Sequence, residues 1–354
     1  MNTTELASKT PAVVDPDLVA MMDGVFSDYR QGGVLAAAGV RVEYDRALWQ
    51  RLDSLGLVRL TGAEDNGGSG AGWYEAAELL TAAVRHGVRV PLAEHDLLAC
   101  WLLEALDLPV DDAVRTVCVQ PRDGGATTAV PWAGEAQRVV VLWPVGDEYR
   151  LCEFDTAELS FTTGTNLIGE PRDVISVDVS RISGHPVHAE LVERLVRKSA
   201  MVRAIQVCAA LDGAVTMSVE HVASRVQFGR PLAKFQAIQN LISDAAAEAA
   251  LARAATESAL RSATDTDWQS THLGFQIATA RSCVGHAASV VVRNAHQVHG
   301  AIGTTHEHRL HTYTRAALAW RSEYGSVRFW DRQVAAAAVA AGGQRLWGLI
   351  SDGS

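Results

Sequence analysis

The 354-residue chain contains 31 Lys and Arg against 41 Asp and Glu, which gives a formal net charge of −10. This acidic balance disfavours a nucleic-acid partner, because proteins that bind phosphate backbones carry a basic face. Hydrophobic residues at 48% and charged residues at 20% exclude a disordered chain, and the length of 354 residues indicates two or three packed units.

The cysteines and the N-terminal segment bear on the cellular compartment. The five cysteines are widely spaced with no C-x-x-C pair, which predicts neither a disulfide framework nor a cysteine zinc site. No apolar run approaches the roughly 18 residues of a membrane span, and the start MNTTELASKT lacks the layout of a secretory signal. We therefore expect a cytoplasmic protein with reduced thiols, in which residues 1–14 form a flexible tail.

Residues 15–108 show helical periodicity and are predicted to form an N-terminal helical domain. Leu48, Leu52 and Leu55 recur at intervals of three and four, which places them on one face of a helix. A second helical run covers residues 75–80. This third of the chain is therefore expected to pack as helices.

Residues 109–185 are predicted to form a small β-domain. Seven of the ten prolines lie between Pro91 and Pro186, where they interrupt helices. The runs at 139–143 and 149–154, joined by the turn residues 144–148, indicate a β-hairpin. Shorter alternating segments at 159–161 and 174–178 predict further strands.

Residues 186–354 contain one proline after their first residue and are predicted to form a four-helix bundle. The first helix is indicated by apolar residues three and four apart, namely Val202, Ile205, Cys208, Leu211, Val215, Val219 and Val222. The second helix begins near residue 235 and the third covers about 273–298. The fourth is expected to run from about residue 309 into the alanine tract before Gly342.

The stretch RVQFGRPLAKFQ, residues 225–236, joins the first two helices of the predicted bundle. Arg225 offers a planar cation, and Gln227 and Gln236 offer neutral donors, which together suit a pyrophosphate. Phe228 is able to cover an adenine or ribose face. The alternative is a plain connecting loop, in which the phenylalanines fill the core and Arg225 lies along the surface.

Three spaced motifs in this region resemble those of the acyl-CoA dehydrogenase family. Residues 225–236 are similar to its R-x-x-F-G segment, residues 297–303 (QVHGAIG) to its Q-x-x-G-G-x-G turn, and residues 320–325 (WRSEYG) to its Y-E-G-T segment. The resemblance implies a mainly α fold with a small central β-domain, namely an N-terminal helical domain, a β-domain and a C-terminal four-helix bundle. It also implies that Arg225, Gln227, Phe228, Gln236, Gln297 and Gly300 bind the adenine and pyrophosphate half of an FAD held mainly by a neighbouring subunit.

Glu323 is the candidate catalytic residue that the resemblance suggests. In the family a carboxylate in this segment removes the α-proton of an acyl-CoA thioester. Counted forward from Gly303, the family's base position falls on Tyr324, one residue out of register with Glu323. The alternative is that Glu323 is a surface glutamate near Arg321.

The residues that would contact a flavin ring in this family are missing between Leu108 and Trp132. The resemblance therefore implies the degenerate subunit of a heteromeric α2β2 acyl-CoA dehydrogenase with a partner chain that supplies the flavin-ring pocket and the base. The substrate it implies is a CoA thioester, with a steroid-derived acyl group as one candidate. Two alternatives remain: a self-sufficient homotetrameric enzyme with Glu323 as base, and a non-catalytic scaffold subunit.

The histidines at 306, 308 and 311 form a cluster in the sequence. His308 and His311 share a helical face at a spacing of three residues, as some metal ligands do. No third ligand and no H-E-x-x-H pattern accompanies them, so no metal site is predicted.

Overall fold

The structure is a computed structural model and describes residues 14–31, 40–43, 45–122, 129–180 and 182–351. The predicted tail, residues 1–14, lies outside the described residues except for Val14.

The N-terminal part is helical, as the sequence predicts. It contains α1 (Pro16–Gln31), α2 (Arg46–Ser54) and α3 (Trp73–His86), followed by an irregular helix (Ala93–Cys100) that continues as α4 (Trp101–Glu104). Leu48 and Leu52 of α2 are buried, but Leu55 is 42% exposed. The prediction for Leu55 is wrong because α2 ends at Ser54, so Leu55 caps the helix and does not continue its apolar face.

The central part forms two small sheets. Its strands are β1 (Arg115–Val119), β2 (Val130–Pro131), β3 (Arg138–Val145), β4 (Glu148–Asp155), β5 (Ser160–Thr162), β6 (Arg172–Ser176) and β7 (His185–Val187). The order is β1-β3-β4-β7 in one sheet and β2-β6-β5 in the other. The predicted hairpin is confirmed as β3 and β4, with Val145 opposite Glu148.

The C-terminal part is a bundle of long helices. After α5 (Ala189–Ser224) a short hairpin of β8 (Val226–Gln227) and β9 (Arg230–Pro231) leads to α6 (Gln236–Asp265), α7 (Leu273–His299), α8 (Leu310–Trp320) and α9 (Val327–Ser351). The prediction of one fourth helix is wrong, since it is divided into α8 and α9. Tyr324 and Gly325 between them have φ of 52° and 113°, in the left-handed region that a helix does not admit.

Small side chains let the bundle helices approach closely. The core shared by α5, α6, α7 and α8 is rich in alanine, including Ala210, Ala249, Ala288 and Ala316. Because α5, α6 and α7 alternate in direction, the C-terminal end of α5, the N-terminal end of α6 and the C-terminal end of α7 meet at one end of the bundle. The residues of the first two motifs lie at that end.

One helix in the described part, α5, is long and apolar enough to cross a membrane by composition, with a mean hydropathy of 1.3 in its most apolar window. Within the protein 67% of that window is buried, as is usual for the central helix of a bundle.

Candidate functional site

The hairpin of β8 and β9 carries Phe228 and Gly229 at its tip. Gln227 pairs with Arg230, so Phe228 and Gly229 form the whole loop between the two strands. Their φ values of 52° and 77° are those of a type I′ turn, which is strained for a phenylalanine and unstrained for a glycine. Phe228 is 91% exposed, so its side chain gains no burial in return for this strain.

The plain-loop alternative for this segment is therefore only half right. Phe228 does not fill the core, and its ring meets that of Phe235 edge-on at 6.2 Å. Phe235 is half-buried at the start of α6, and the guanidinium of Arg230 lies 4.1 Å above its ring. The second phenylalanine is thus a packing residue, whereas the first projects from the surface.

The polar residues of the hairpin are also exposed. Within the described residues the Arg225 guanidinium makes no hydrogen bond and no ion pair, while its backbone amide donates to His221 at 2.9 Å. Gln227 is exposed beside it. Gln236 donates from its side-chain amide to Asn240 at 3.1 Å, one turn along α6. Arg225 and Gln227 are therefore free to meet a ligand or another chain.

Gln297 and Gly300 lie at the end of α7 and are exposed. Gly300 has φ of 63°, and a side chain added there would meet no atom within 4 Å, so its backbone is open to solvent. The rings of His221 in α5 and His299 in α7 stack at 4.4 Å. This contact joins the two helix ends and brings Gly300 to the same end of the bundle as Arg225.

Glu323 occupies a different place, in the link between α8 and α9. Its carboxylate accepts two hydrogen bonds of 2.8 Å from Arg172 of β6 and one of 2.7 Å from Arg203 of α5. Asn166 donates a further bond at 3.0 Å. The surface alternative for Glu323 is wrong, because the residue joins the β-domain to the bundle.

The charges around Glu323 form a buried network. Arg203 also donates to Glu94 at 2.6 Å, and Arg172 to Glu170 at 2.8 Å. Burial by itself raises the pKa of Glu323, but the two guanidinium groups outweigh it and lower the pKa to about 2. A carboxylate held this way stays ionised and is a weak proton acceptor near neutral pH.

Tyr324 is the residue on which the family's base position is predicted to fall, counted forward from Gly303. Its phenol oxygen is buried without a hydrogen-bond partner among the described residues. The guanidinium of Arg203 lies 5.1 Å from the ring, and burial raises the pKa of the phenol. Tyr324 is therefore a neutral packing group.

The structure does not bring Glu323 and the hairpin together. Arg203, which holds Glu323, lies in α5, and Arg225 directly follows the end of α5, about 33 Å away at about 1.5 Å per residue. The exposed set at the bundle end and the network around Glu323 are thus separate features.

His308 and His311, which share a helical face in the sequence, do not join in one cluster of ring nitrogens. His311 donates from Nδ1 to the backbone oxygen of His308 at 2.8 Å. His308 instead lies beside His221 and His299. No local sequence pattern indicates this cluster, because His221 and His299 lie in helices remote from His308 in the chain.

Comparison with known proteins identifies relatives of this chain in the acyl-CoA dehydrogenase family. The family profile for the acyl-CoA dehydrogenase C-terminal domain matches residues 190–338. Acyl-CoA dehydrogenase IpdE2 of Mycobacterium tuberculosis is 28% identical over 278 residues, which are 77% of this chain and 81% of that protein. Acyl-CoA dehydrogenase FadE34 of the same organism is 28% identical over 343 residues, 89% of this chain, and the match spans 46% of FadE34.

The fold is also similar to that of solved structures. A chain of the ChsE4-ChsE5 complex from Mycobacterium tuberculosis superposes with a TM-score of 0.77 at 21% identity, over 93% of this chain and 98% of that one. At this level of identity the likeness shows the fold: helical domain, β-domain and bundle in the same arrangement.

Proposed function

Because the chain belongs to the acyl-CoA dehydrogenase family, we propose that it is one subunit of an FAD-dependent acyl-CoA dehydrogenase and completes the cofactor site of a partner chain. The reaction is the α,β-dehydrogenation of a CoA thioester. The partner supplies the flavin-ring pocket, the substrate cleft and the base, in an α2β2 heterotetramer.

The exposed tip of the hairpin is the observation that carries this proposal. Phe228 is 91% exposed on a strained turn, and Arg225 beside it has no partner in the described part of the chain. A lone subunit gains nothing from either feature. Both suit a ligand or chain that covers them, since an aromatic face stacks on adenine and a guanidinium pairs with phosphate oxygens.

The residues present fit one half of an FAD. Arg225 and Gln227 would meet the diphosphate, Phe228 the adenosine, and Gln297 with the bare backbone at Gly300 the second side of the diphosphate. Gln236 would contribute from the start of α6 once its bond to Asn240 is released. When bound, FAD accepts the hydride that leaves the β-carbon of the thioester.

The state of Glu323 supports a partner that provides the base. The carboxylate is fixed between Arg172 and Arg203 with its pKa lowered to about 2. Proton abstraction requires a base that is free to move toward the substrate and has a pKa near the working pH. This favours the heteromeric enzyme over a self-sufficient homotetramer with Glu323 as base.

The relatives suggest the kind of assembly and substrate. One structural neighbour is a complex of two different chains, and a second is a steroid acyl-CoA dehydrogenase named for two proteins. In FadE34 more than half of the protein lies outside the match. We therefore propose a heteromeric partner, a steroid-derived acyl group and a cytoplasmic location for this chain.

The test is the flavin content of the purified complex. The partner subunit is first identified as the acyl-CoA dehydrogenase chain that co-purifies with this chain. The two chains are then co-expressed, and the affinity for FAD is measured by titration of the flavin-free complex. Arg225→Ala is expected to weaken FAD binding about tenfold or more, since a hydrogen bond to a charged group contributes about 1.5–3 kcal/mol. Arg328→Ala, at an exposed arginine of α9, is the matched control and should leave affinity unchanged.

Two outcomes overturn the proposal. In the first, the chain alone forms a homo-oligomer with one FAD per subunit and full dehydrogenase activity, which is the homotetramer. Alternatively, Arg225→Ala leaves the FAD affinity of the complex unchanged, which reduces this chain to a scaffold.

A further inference from the structure

Three histidines from three separate segments meet at the end of the bundle that carries the hairpin of β8 and β9. His221 is in the last turn of α5, His299 is the last residue of α7, and His308 precedes α8. One ring nitrogen from each lies within 4.8 Å of the other two. Besides the stack of His221 on His299, the ring of His308 meets that of His299 at 4.8 Å.

His299 is the most informative of the three. It is 5% exposed, and its Nδ1 donates to the backbone oxygen of Ala295 at 2.8 Å. In the neutral ring this leaves the lone pair on Nε2. Nε2 is buried and has no hydrogen-bond partner among the described residues, which is costly for a polar atom. An imidazole whose other nitrogen is held by a carbonyl is the arrangement that orients histidine toward a metal.

The rings of His221 and His308 are able to bind the same metal ion as Nε2 of His299. His221 is half-buried, and within the described residues its ring makes no hydrogen bond. The amide of Leu310 donates to Nδ1 of His308 at 3.2 Å, a long contact that is lost if the ring turns over. Either nitrogen of His308 then becomes available, because the two ring orientations occupy the same space.

We propose that His221, His299 and His308 bind a divalent transition metal ion of the zinc class, with a fourth position open to water or an anion. Three neutral imidazoles suit Zn²⁺, Co²⁺, Ni²⁺ or Cu²⁺ and disfavour Mg²⁺ or Ca²⁺. A zinc ion holds its nitrogen ligands at about 2.0–2.1 Å, hence about 3.3 Å from each other. The widest of the present separations must close by about 1.5 Å, which side-chain rotation of His221 and His308 provides.

The charge state of the rings is compatible with metal binding. Burial lowers the pKa of His299 to about 4, and burial together with His308 and Arg225 lowers the pKa of His221. A lowered pKa favours the neutral ring, which is the form that binds a metal. Arg225 adds positive charge nearby, so the fourth position favours an anionic ligand over another cation.

The site has a structural consequence. His221 precedes Arg225 by one helical turn, and His299 precedes Gly300 directly. A metal bound to all three histidines fixes the end of α5, the end of α7 and the segment before α8 relative to one another. Metal binding is a property of this chain alone and does not depend on the proposed cofactor role.

The experiment measures metal in the flavin-free chain. The protein is stripped with a chelator, incubated with excess Zn²⁺, desalted and analysed by plasma mass spectrometry. Cobalt substitution adds the visible absorption of a four-coordinate Co²⁺ site. We expect one metal ion per chain and a loss of at least tenfold in affinity in His308→Gln and in His299→Gln.

The controls separate a built site from surface histidines and from misfolding. His306→Gln changes an exposed neighbour outside the cluster and should keep full metal content. His221→Gln is the second test variant, because His221 is only half-buried and its replacement leaves the fold intact, as checked by circular dichroism. The proposal is overturned if the wild-type chain retains no zinc, or if His306→Gln lowers binding as much as His308→Gln does.

Discussion

The guanidinium of Arg172 donates two parallel hydrogen bonds, both 2.8 Å long, to the carboxylate of Glu323. This fork joins β6 to the link between α8 and α9, and Arg203 extends it to α5. Three parts of the chain that are far apart in sequence therefore depend on one carboxylate. Buried charges of this kind are stable only while every partner is present.

Replacement of Glu323 by glutamine tests this dependence. An amide keeps the shape but removes the charge that balances Arg172 and Arg203, whose side chains are 7% and 2% exposed. We expect Glu323→Gln to lower the free energy of unfolding by about 3–5 kcal/mol, measured by urea denaturation. Glu220→Gln, at an exposed position near the end of α5, should change it by less than about 0.5 kcal/mol.

The same variant separates the two roles considered for Glu323. If it leaves stability unchanged and abolishes turnover in the complex, Glu323 is the base and the partner-base hypothesis is wrong. If it lowers stability and the folded fraction keeps its turnover, the carboxylate is an internal anchor.

Lys198 provides a second buried charge with an unusual environment. Its Nζ lies 4.7, 4.3 and 4.2 Å from the ring centroids of Trp73, Trp101 and Trp268, and the residue is 3% exposed. Burial lowers the pKa of Lys198 to about 7, although Asp267 opposes the shift. The indole faces favour the charged form as well.

The pH dependence of stability follows from that pKa. Below pH 7 the lysine is protonated in both states, so the folded protein bears the full cost of burying the charge. Between pH 7 and about 10.5 the unfolded chain keeps the proton and the folded chain releases it, so the contribution of Lys198 to stability rises with pH, by up to about 1.4 kcal/mol per unit. In Lys198→Met this rise should be absent, while Lys234→Met, at an exposed site, should keep it.

Urea denaturation at pH 7, 8, 9 and 10 measures this slope. Equal slopes in wild type and Lys198→Met would mean that the three tryptophans hold the ammonium charged throughout this range.

Helical periodicity predicted much of the fold. It placed the third bundle helix at about 273–298, and α7 covers Leu273–His299. Strand β1 was missed because RTVCV is buried on nearly every residue and so shows no alternation. The break between α8 and α9 was missed because its one sequence signal, Gly325 after Tyr324, lies in a stretch that otherwise favours helix.

The sites divide in the same way. The hairpin residues could be singled out from the sequence because Arg225, Gln227 and Phe228 are close together and form one motif, and their role in cofactor binding stays a prediction. The contact between Arg172 and Glu323 spans 151 residues, and the three histidines come from three helix ends. No local sequence pattern therefore predicts the ion pair or the histidine cluster. The first contact arises from the packing of the bundle against the β-domain, and the second from the packing of helices within the bundle.

Phe228 allows the backbone strain at a residue proposed to bind the cofactor to be measured directly. Its φ of 52° lies where a phenylalanine costs about 1–2 kcal/mol and an asparagine costs less. We expect Phe228→Asn to raise the free energy of unfolding of the isolated chain by about 0.5–1 kcal/mol. In the complex the same change should weaken FAD binding about tenfold or more, because the aromatic face that would cover the adenosine is lost.

Phe228→Leu is the matched variant that separates the two effects. Leucine keeps the backbone strain and removes the aromatic ring, so it should weaken FAD binding without the gain in stability. Urea denaturation of the isolated chain and FAD titration of the apo-complex give the two readouts. An increase in stability together with unchanged FAD affinity in Phe228→Asn would show that this side chain covers no cofactor.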